Sequence, residues 1–292
     1  MDTDLLRTFL AVARHESFTA AAAELNLVQS TVTSRIKALE KALGTRLLDR
    51  LPDGARLTEA GHRTAGHAHA VLDAERRLVE DSASTEPAGE VVVGAPESVC
   101  AYRLPRAIAA LRRQHPRTTV HLVPAGTSET FRGVLDGRFG LGLILDHAPA
   151  PSPLSPRPLG AEPIALVAAP GHPSTREEMT WAKLAEHPYF LLEEGCSYSD
   201  DFVRELERRS PIRPQITRFG SIEAARSCVE EGLGLSVLPE IACADALQRG
   251  RVEALRPPRP QVPLTLVLDE RRWHSPTAEA LLRVVEDQEW PG

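Results

Sequence analysis

Between residues 29 and 43 the apolar positions Val32, Ile36 and Leu39 recur at i, i+4 and i+7, one stripe of an α-helix. Gln29, Ser30, Thr31, Thr33, Ser34, Arg35 and Lys37 fall outside that stripe, a set able to address base edges and phosphates. The alanine run Ala20 to Ala23 predicts a slim helix that another can cross closely, with Thr19 as its expected N-cap. Leu5, Phe9 and Val12 mark an earlier amphipathic helix opening near Asp4. Three short helices, the last two joined by a tight turn, make a helix-turn-helix whose final helix suits a DNA major groove. On periodicity alone, a helical hairpin with a solvated polar face fits equally well.

Further along, Leu47-Leu48 and Arg56-Leu57 flank Leu51-Pro52-Asp53-Gly54, a turn signal that predicts a β-hairpin wing carrying Arg50 and Arg56 toward the phosphate backbone or minor groove. Thr58 is placed to cap a long helix running to about Asp81, whose narrow stripe of Ala65, Ala68, Leu72 and Val79 needs a partner. Residues 82–89 are polar and punctuated by Pro87 and Gly89, which reads as a hinge.

Beyond the hinge, short apolar strands alternate with amphipathic helices: 91–93, 104–115, 120–123, 131–136 and 141–145. Prolines at 149, 151, 153, 156 and 158 separate a second copy, in which 164–168, 189–192, 216–219 and 235–238 are strands and 181–185, 202–208 and 222–231 helices. A strand at 264–268 and a helix from about Thr277 to Glu286 close the chain. The alternation predicts a mostly parallel sheet in two α/β lobes, with a ligand cleft at the carboxyl ends of the strands.

Composition narrows the class. Net charge is −6, which opposes phosphate contact, yet residues 25–56 carry six basic against three acidic groups. Residues 87–292 carry 23 basic and 27 acidic groups, so DNA contact is expected at the N-terminus alone. Four scattered cysteines, at 100, 196, 228 and 243, with no CxxC pair and no secretory signal, fit a reducing cytoplasm. No apolar run approaches the ~20 residues of a membrane span.

Enzyme signals are weak. Gly140-Leu141-Gly142 and Gly232-Leu233-Gly234 lack the third glycine of a dinucleotide fingerprint, and of His62, His67 and His69 the last two point apart on a helix. No catalytic set, cofactor or metal is expected. A small-molecule binding protein or enzyme built on the α/β domain alone is the competing class of function.

The ordered string Ser17-Phe18, Ala21-Ala22, Gln29, Leu39-Glu40, Leu43-Gly44, Leu47-Leu48-Asp49-Arg50 and Leu57-Thr58-Glu59-Ala60-Gly61 resembles the LysR-type transcriptional regulators over about 60 residues. The resemblance implies an α+β multidomain protein. A winged helix-turn-helix would span 1–57, a linker and dimerisation helix 58–81, a hinge 82–89, and a two-lobed effector-binding domain of periplasmic-binding-protein type 90–292. Lobe one would take about 90–160 and 266–292, and lobe two about 161–265. It implies double-stranded promoter DNA as partner, a homodimer or homotetramer, allosteric control by a small-molecule effector, and leaves open a contact with RNA polymerase.

Effector contacts carried over by resemblance are Glu97, Ser98, Val99 and Cys100; Thr127 and Ser128; Glu194, Gly195, Cys196, Ser197 and Tyr198; and Gly220, Ser221 and Ile222. Asp146 stands near the same cleft, and Arg103 and Arg218 are the nearest cations. Helix N-termini suit a carboxylate, but the acidic residues make a zwitterion or neutral ligand an equal expectation. Cys100 and Cys196, in loops facing one cleft, suggest an alternative control by thiol oxidation or electrophiles, weighed against cysteine as a small buried hydrophobe. Three positions depart from the family pattern: Val28 where Ser usually caps the reading helix, Leu48 for Phe, and Gly140 for Asp.

Overall fold

The computed structural model describes residues 2–51, 54–80, 86–173, 179–255 and 261–290, and for Arg50, Asp73 and 76–80 the backbone only. The chain divides into two compact units near Thr85. The turn residues Pro52 and Asp53, Asp81, residues 82–85 of the expected hinge, and the side chains of Arg50 and Val79 lie outside the described set.

In the N-terminal unit, α1 (Thr3–His15) is capped by Asp2, which accepts from Asp4 N at 3.0 Å, so the helix opens earlier than Asp4. Helix α2 (Phe18–Glu24) is capped by Ser17, not Thr19: Ser17 is the last extended residue, and its hydroxyl accepts from Ala20 N at 3.3 Å. Helix α3 (Gln29–Leu43) starts at Val28 with no side-chain cap and ends at Gly44 in the left-handed region. Phe9, Val12, Ala21, Val32, Ile36 and Leu39 are fully buried together. Ala21, with no bulk beyond Cβ, allows the close crossing that the alanine run predicts.

The wing pairs β1 (Leu48–Leu51) with β2 (Gly54–Leu57), Asp49 opposite Arg56. Gly54 has φ +152°, and a Cβ there would stand 2.4 Å from Glu16 O, the carbonyl that accepts from Ala55 N at 2.7 Å. Only glycine lets the wing close on the turn after α1. Thr58 caps α4 (Glu59–Glu80), its Oγ1 accepting from Gly61 N at 2.9 Å. Ala65, Ala68 and Leu72 pack onto this same three-helix core, and Glu75 holds Arg7 at 2.7 Å. That part of the stripe therefore finds its partner within the chain, while Ala70, Val71 and Ala74 stay exposed on the other face.

The larger unit begins with β3 (Gly89–Ala95), α5 (Glu97–Tyr102), α6 (Leu104–Gln114), β4 (Thr118–Pro124), α7 (Thr127–Asp136) and β5 (Leu141–Leu145). There follow β6 (Ser155–Ala168), α8 (Trp181–Ala185), β7 (Pro188–Leu192), α9 (Ser197–Arg209), β8 (Gln215–Phe219), α10 (Ile222–Glu230) and β9 (Ser236–Pro239). The chain closes with α11 (Glu240–Gln248), β10 (Glu253–Ala254), β11 (Gln261–Leu268) and α12 (Pro276–Glu286).

β3 pairs in parallel with β4 and β5, and β7 with β8, as the alternation predicts. The sheet is nonetheless mixed, because β11 runs antiparallel to both β5 and β6, and β9 antiparallel to β6. The proline-dense stretch is not simply a spacer: β6 begins inside it at Ser155 and pairs with β11 as far as Pro163, then with β9 from Ile164. One strand thus serves both lobes, and the expected lobe boundaries at 160/161 and 265/266 fall inside β6 and β11. Gly140 does not disturb β5; its N–H reaches Val92 O at 2.8 Å.

Candidate DNA-reading face and effector cleft

On α3 the side chains of Gln29, Ser30, Ser34 and Lys37 are exposed, and Thr31 and Thr33 half-buried, along the edge opposite Val32, Ile36 and Leu39. Arg35 is turned inward: its guanidinium reaches Asp4 Oδ2 at 3.0 Å and Thr8 Oγ1 at 3.3 Å, tying α3 to α1. It sits one residue from buried Ile36, so a long cation there lies across the helix contact instead of standing in solvent. On the wing Arg56 is exposed. Val28 is 66% exposed at the head of α3, an apolar side chain where a cap would sit.

The cleft belongs wholly to the larger unit. β3, β4, β7 and β8 each lead from their carboxyl ends into a helix, so the N-termini of α5, α7, α9 and α10 gather round one cavity of about 360 Å³. Of the residues carried over by resemblance, Glu97, Ser98, Thr127, Ser128, Glu194, Gly195, Cys196, Ser197, Tyr198 and Gly220 line it. Thr127 Oγ1 donates to Asp146 Oδ2 at 2.7 Å, and Ser197 Oγ to Leu145 O at 2.7 Å. Glu97 Oε2 accepts from Ile222 N at 2.9 Å, placing a carboxylate of the chain itself at the head of α10.

Several expected residues are engaged elsewhere. Val99 and Cys100 lie on α5 and turn into the core, Cys100 Sγ donating to Ala95 O at 3.4 Å. Asp146 stands behind Thr127 and also accepts from Ala148 N at 3.0 Å. Ser221 caps α10, and Ile222 beside it is buried. Neither expected cation reaches the cavity wall. Arg103 grips buried Glu162 with two nitrogens at 2.8 to 3.0 Å, and Arg218 pairs with Asp200 at 2.9 Å and Leu192 O at 2.8 Å.

Among the described residues the lining cation is Arg132, which the sequence pattern did not single out, and Glu129, Glu193 and Phe219 are further walls. Arg132 lies one turn after Ser128 on α7, and that i+4 spacing was the available signal.

Neither Cys100 nor Cys196 is an activated thiol. Burial pushes the Cys100 thiol up to about 11, with the Glu97 charge adding to it. Burial also raises Cys196, against hydrogen bonds from Ser199 and Tyr198. Position at the start of α9 therefore does not make Cys196 the low-pKa thiolate that a redox switch requires.

Residues 3–62 match the family described as bacterial regulatory helix-turn-helix protein, lysR family, and residues 84–290 the LysR substrate binding domain. The chain is 35% identical over 258 residues to YwqM of Bacillus subtilis strain 168, an uncharacterized HTH-type transcriptional regulator, covering 87% of this chain and 88% of that one. In fold it is similar to ArgP from Mycobacterium tuberculosis, with TM-score 0.72 at 22% identity over 98% of this chain and 96% of the other. It is similar also to full-length CbnR complexed with its target DNA, with TM-score 0.63 at 23% identity over 98% and 99% of the two chains. No helix among the described residues is long and apolar enough to cross a membrane. The chain belongs to the LysR family of DNA-binding transcriptional regulators, with an N-terminal helix-turn-helix domain and a C-terminal substrate-binding domain.

Proposed function

We propose that this regulator reads a two-fold symmetric promoter site with two copies of α3 and is controlled by a small molecule held in the cleft of its larger unit. The observation that carries the reading is the convergence of four helix N-termini on one cavity at the carboxyl ends of parallel strands, which is where α/β folds take ligands. Gln29, Ser30, Ser34 and Lys37 are the base and phosphate contacts, flanked by the half-buried hydroxyls of Thr31 and Thr33, with Arg56 on the wing. A local charge excess of +3 between residues 25 and 56, six basic against three acidic, is too small for tight binding by one copy.

Pairing of two chains supplies the rest, and the exposed strip of Ala70, Val71 and Ala74 on α4 is the surface that two helices would share. The effector acts by favouring one arrangement of the pair, changing the spacing of the two reading helices. The protein works as a cytoplasmic homodimer or a tetramer built from it, at promoters where RNA polymerase is within reach. Control by a ligand is favoured over control by thiol oxidation because burial holds Cys100 and Cys196 protonated. A gel shift on the DNA upstream of its own coding region, with and without a cleft ligand, tests the reading; selective binding that no ligand alters would refute the second half.

A further inference from the structure

Among the described residues, the walls of the cavity carry four carboxylates, Glu97, Glu129, Glu193 and Glu194, against one guanidinium, Arg132. That guanidinium is partly spent, since Arg132 Nε donates to Ser128 O at 3.3 Å. Two backbone donors near the cavity are also taken from within. Ile222 N points at Glu97 Oε2, and Gly195 N at Asp200 Oδ2 at 2.8 Å. The hydroxyls of Thr127 and Ser197 are committed to Asp146 and Leu145 O. An anionic ligand would meet a wall on which side-chain charges of its own sign predominate.

A second observation points to a ligand independently of the charges. The Ser98 hydroxyl lines this cavity, is only 2% exposed, and finds no hydrogen-bond partner among the described residues. Buried hydroxyls are rarely left so. Resting on the reading that this cleft holds the effector, we propose that the effector carries an ammonium or guanidinium group. That cation sits against the glutamates of the α5 and α9 approaches, and a neighbouring polar atom of the ligand pairs with Ser98.

The test is calorimetry and thermal shift on the full chain with three probes of matched length: cadaverine, 5-aminopentanoate and glutarate, a dication, a zwitterion and a dianion. The first two are expected to bind saturably and raise the melting temperature, and glutarate to do neither. Glu97→Gln and Glu194→Gln should each weaken cadaverine about threefold to fivefold, while Arg132→Ala should tighten it. Ser98→Ala should weaken 5-aminopentanoate with the fold intact by circular dichroism. Preferential binding of glutarate, no binding by either cationic probe, or affinities indifferent to the glutamate variants would overturn the assignment. DNA affinity measured alongside separates the two claims. A cationic probe that binds but leaves DNA affinity unchanged refutes effector control and leaves the ligand class standing, whereas glutarate that binds and shifts DNA affinity does the reverse.

Discussion

The reading helix and the cleft present polar residues in opposite ways. On α3, Gln29, Ser30, Ser34 and Lys37 stand exposed on a helix whose other side is fully buried, so each is available to a partner as it stands. Around the cleft, several polar groups are already answered by another: Thr127 by Asp146, Ser197 by Leu145, Glu97 by Ile222. A surface meant for an extended polyanion is left open, whereas a cavity meant for one small molecule is held in shape by its own network. Binding energy at the first comes from added contacts, and at the second from the few groups left unanswered.

The largest test of this contrast strikes the support behind the cleft. Arg103→Leu leaves the Glu162 carboxylate buried without its cation, and should destabilise the larger unit by about 3 to 5 kcal/mol in denaturant melts. Adding Glu162→Leu should recover much of that loss, because no charge then remains to be buried. A single variant with an unchanged melt would show that the pair does not brace this region.

In the N-terminal unit the sharpest structural demand is at Gly54. Gly54→Ala drives a Cβ to 2.4 Å from Glu16 O, and should cost about 2 kcal/mol while lowering DNA affinity through the wing. Retained affinity with a destabilised fold would remove the wing from DNA contact.

How far each region is legible in the sequence follows the same divide. The stripe of Val32, Ile36 and Leu39 sorts the polar residues of α3 by face, because a helix presents its surface with a fixed period. Arg35 escapes that logic, since its side chain is long enough to lie back on Asp4. The cleft has no period. α5 is a six-residue helix, too short for a stripe, so nothing in the order Glu97, Ser98, Val99, Cys100 says that the first two face the cavity and the last two the core. Pairing partners such as Arg103 and Glu162 lie 59 residues apart and become visible only in three dimensions. The antiparallel β11 was hidden for a related reason, as strand direction depends on a return from the second lobe that no local pattern records.

Smaller effects refine the comparison. Val28→Ser restores a cap at the head of α3 and should stabilise the N-terminal unit by about 1 kcal/mol; an unchanged melt would mean the exposed helix end is satisfied by solvent. Smallest is the response of the thiols. With its pKa near 11, Cys100 has on the order of one thiolate in a thousand at pH 8, so its alkylation should be slow and should accelerate about tenfold for each pH unit up to that value. Fast labelling of Cys100 near neutrality in the folded protein would reopen the redox reading.

That an acidic chain reads DNA sequence through the open face of α3 can be checked by fluorescence anisotropy of the full protein on its upstream DNA across a salt series. Binding should be sequence-selective, weaken steeply with salt, be lost on Gln29→Ala with the melt unchanged, and lose part of its salt slope on Lys37→Ala. Selective binding that survives Gln29→Ala, or affinity indifferent to salt, would contradict it.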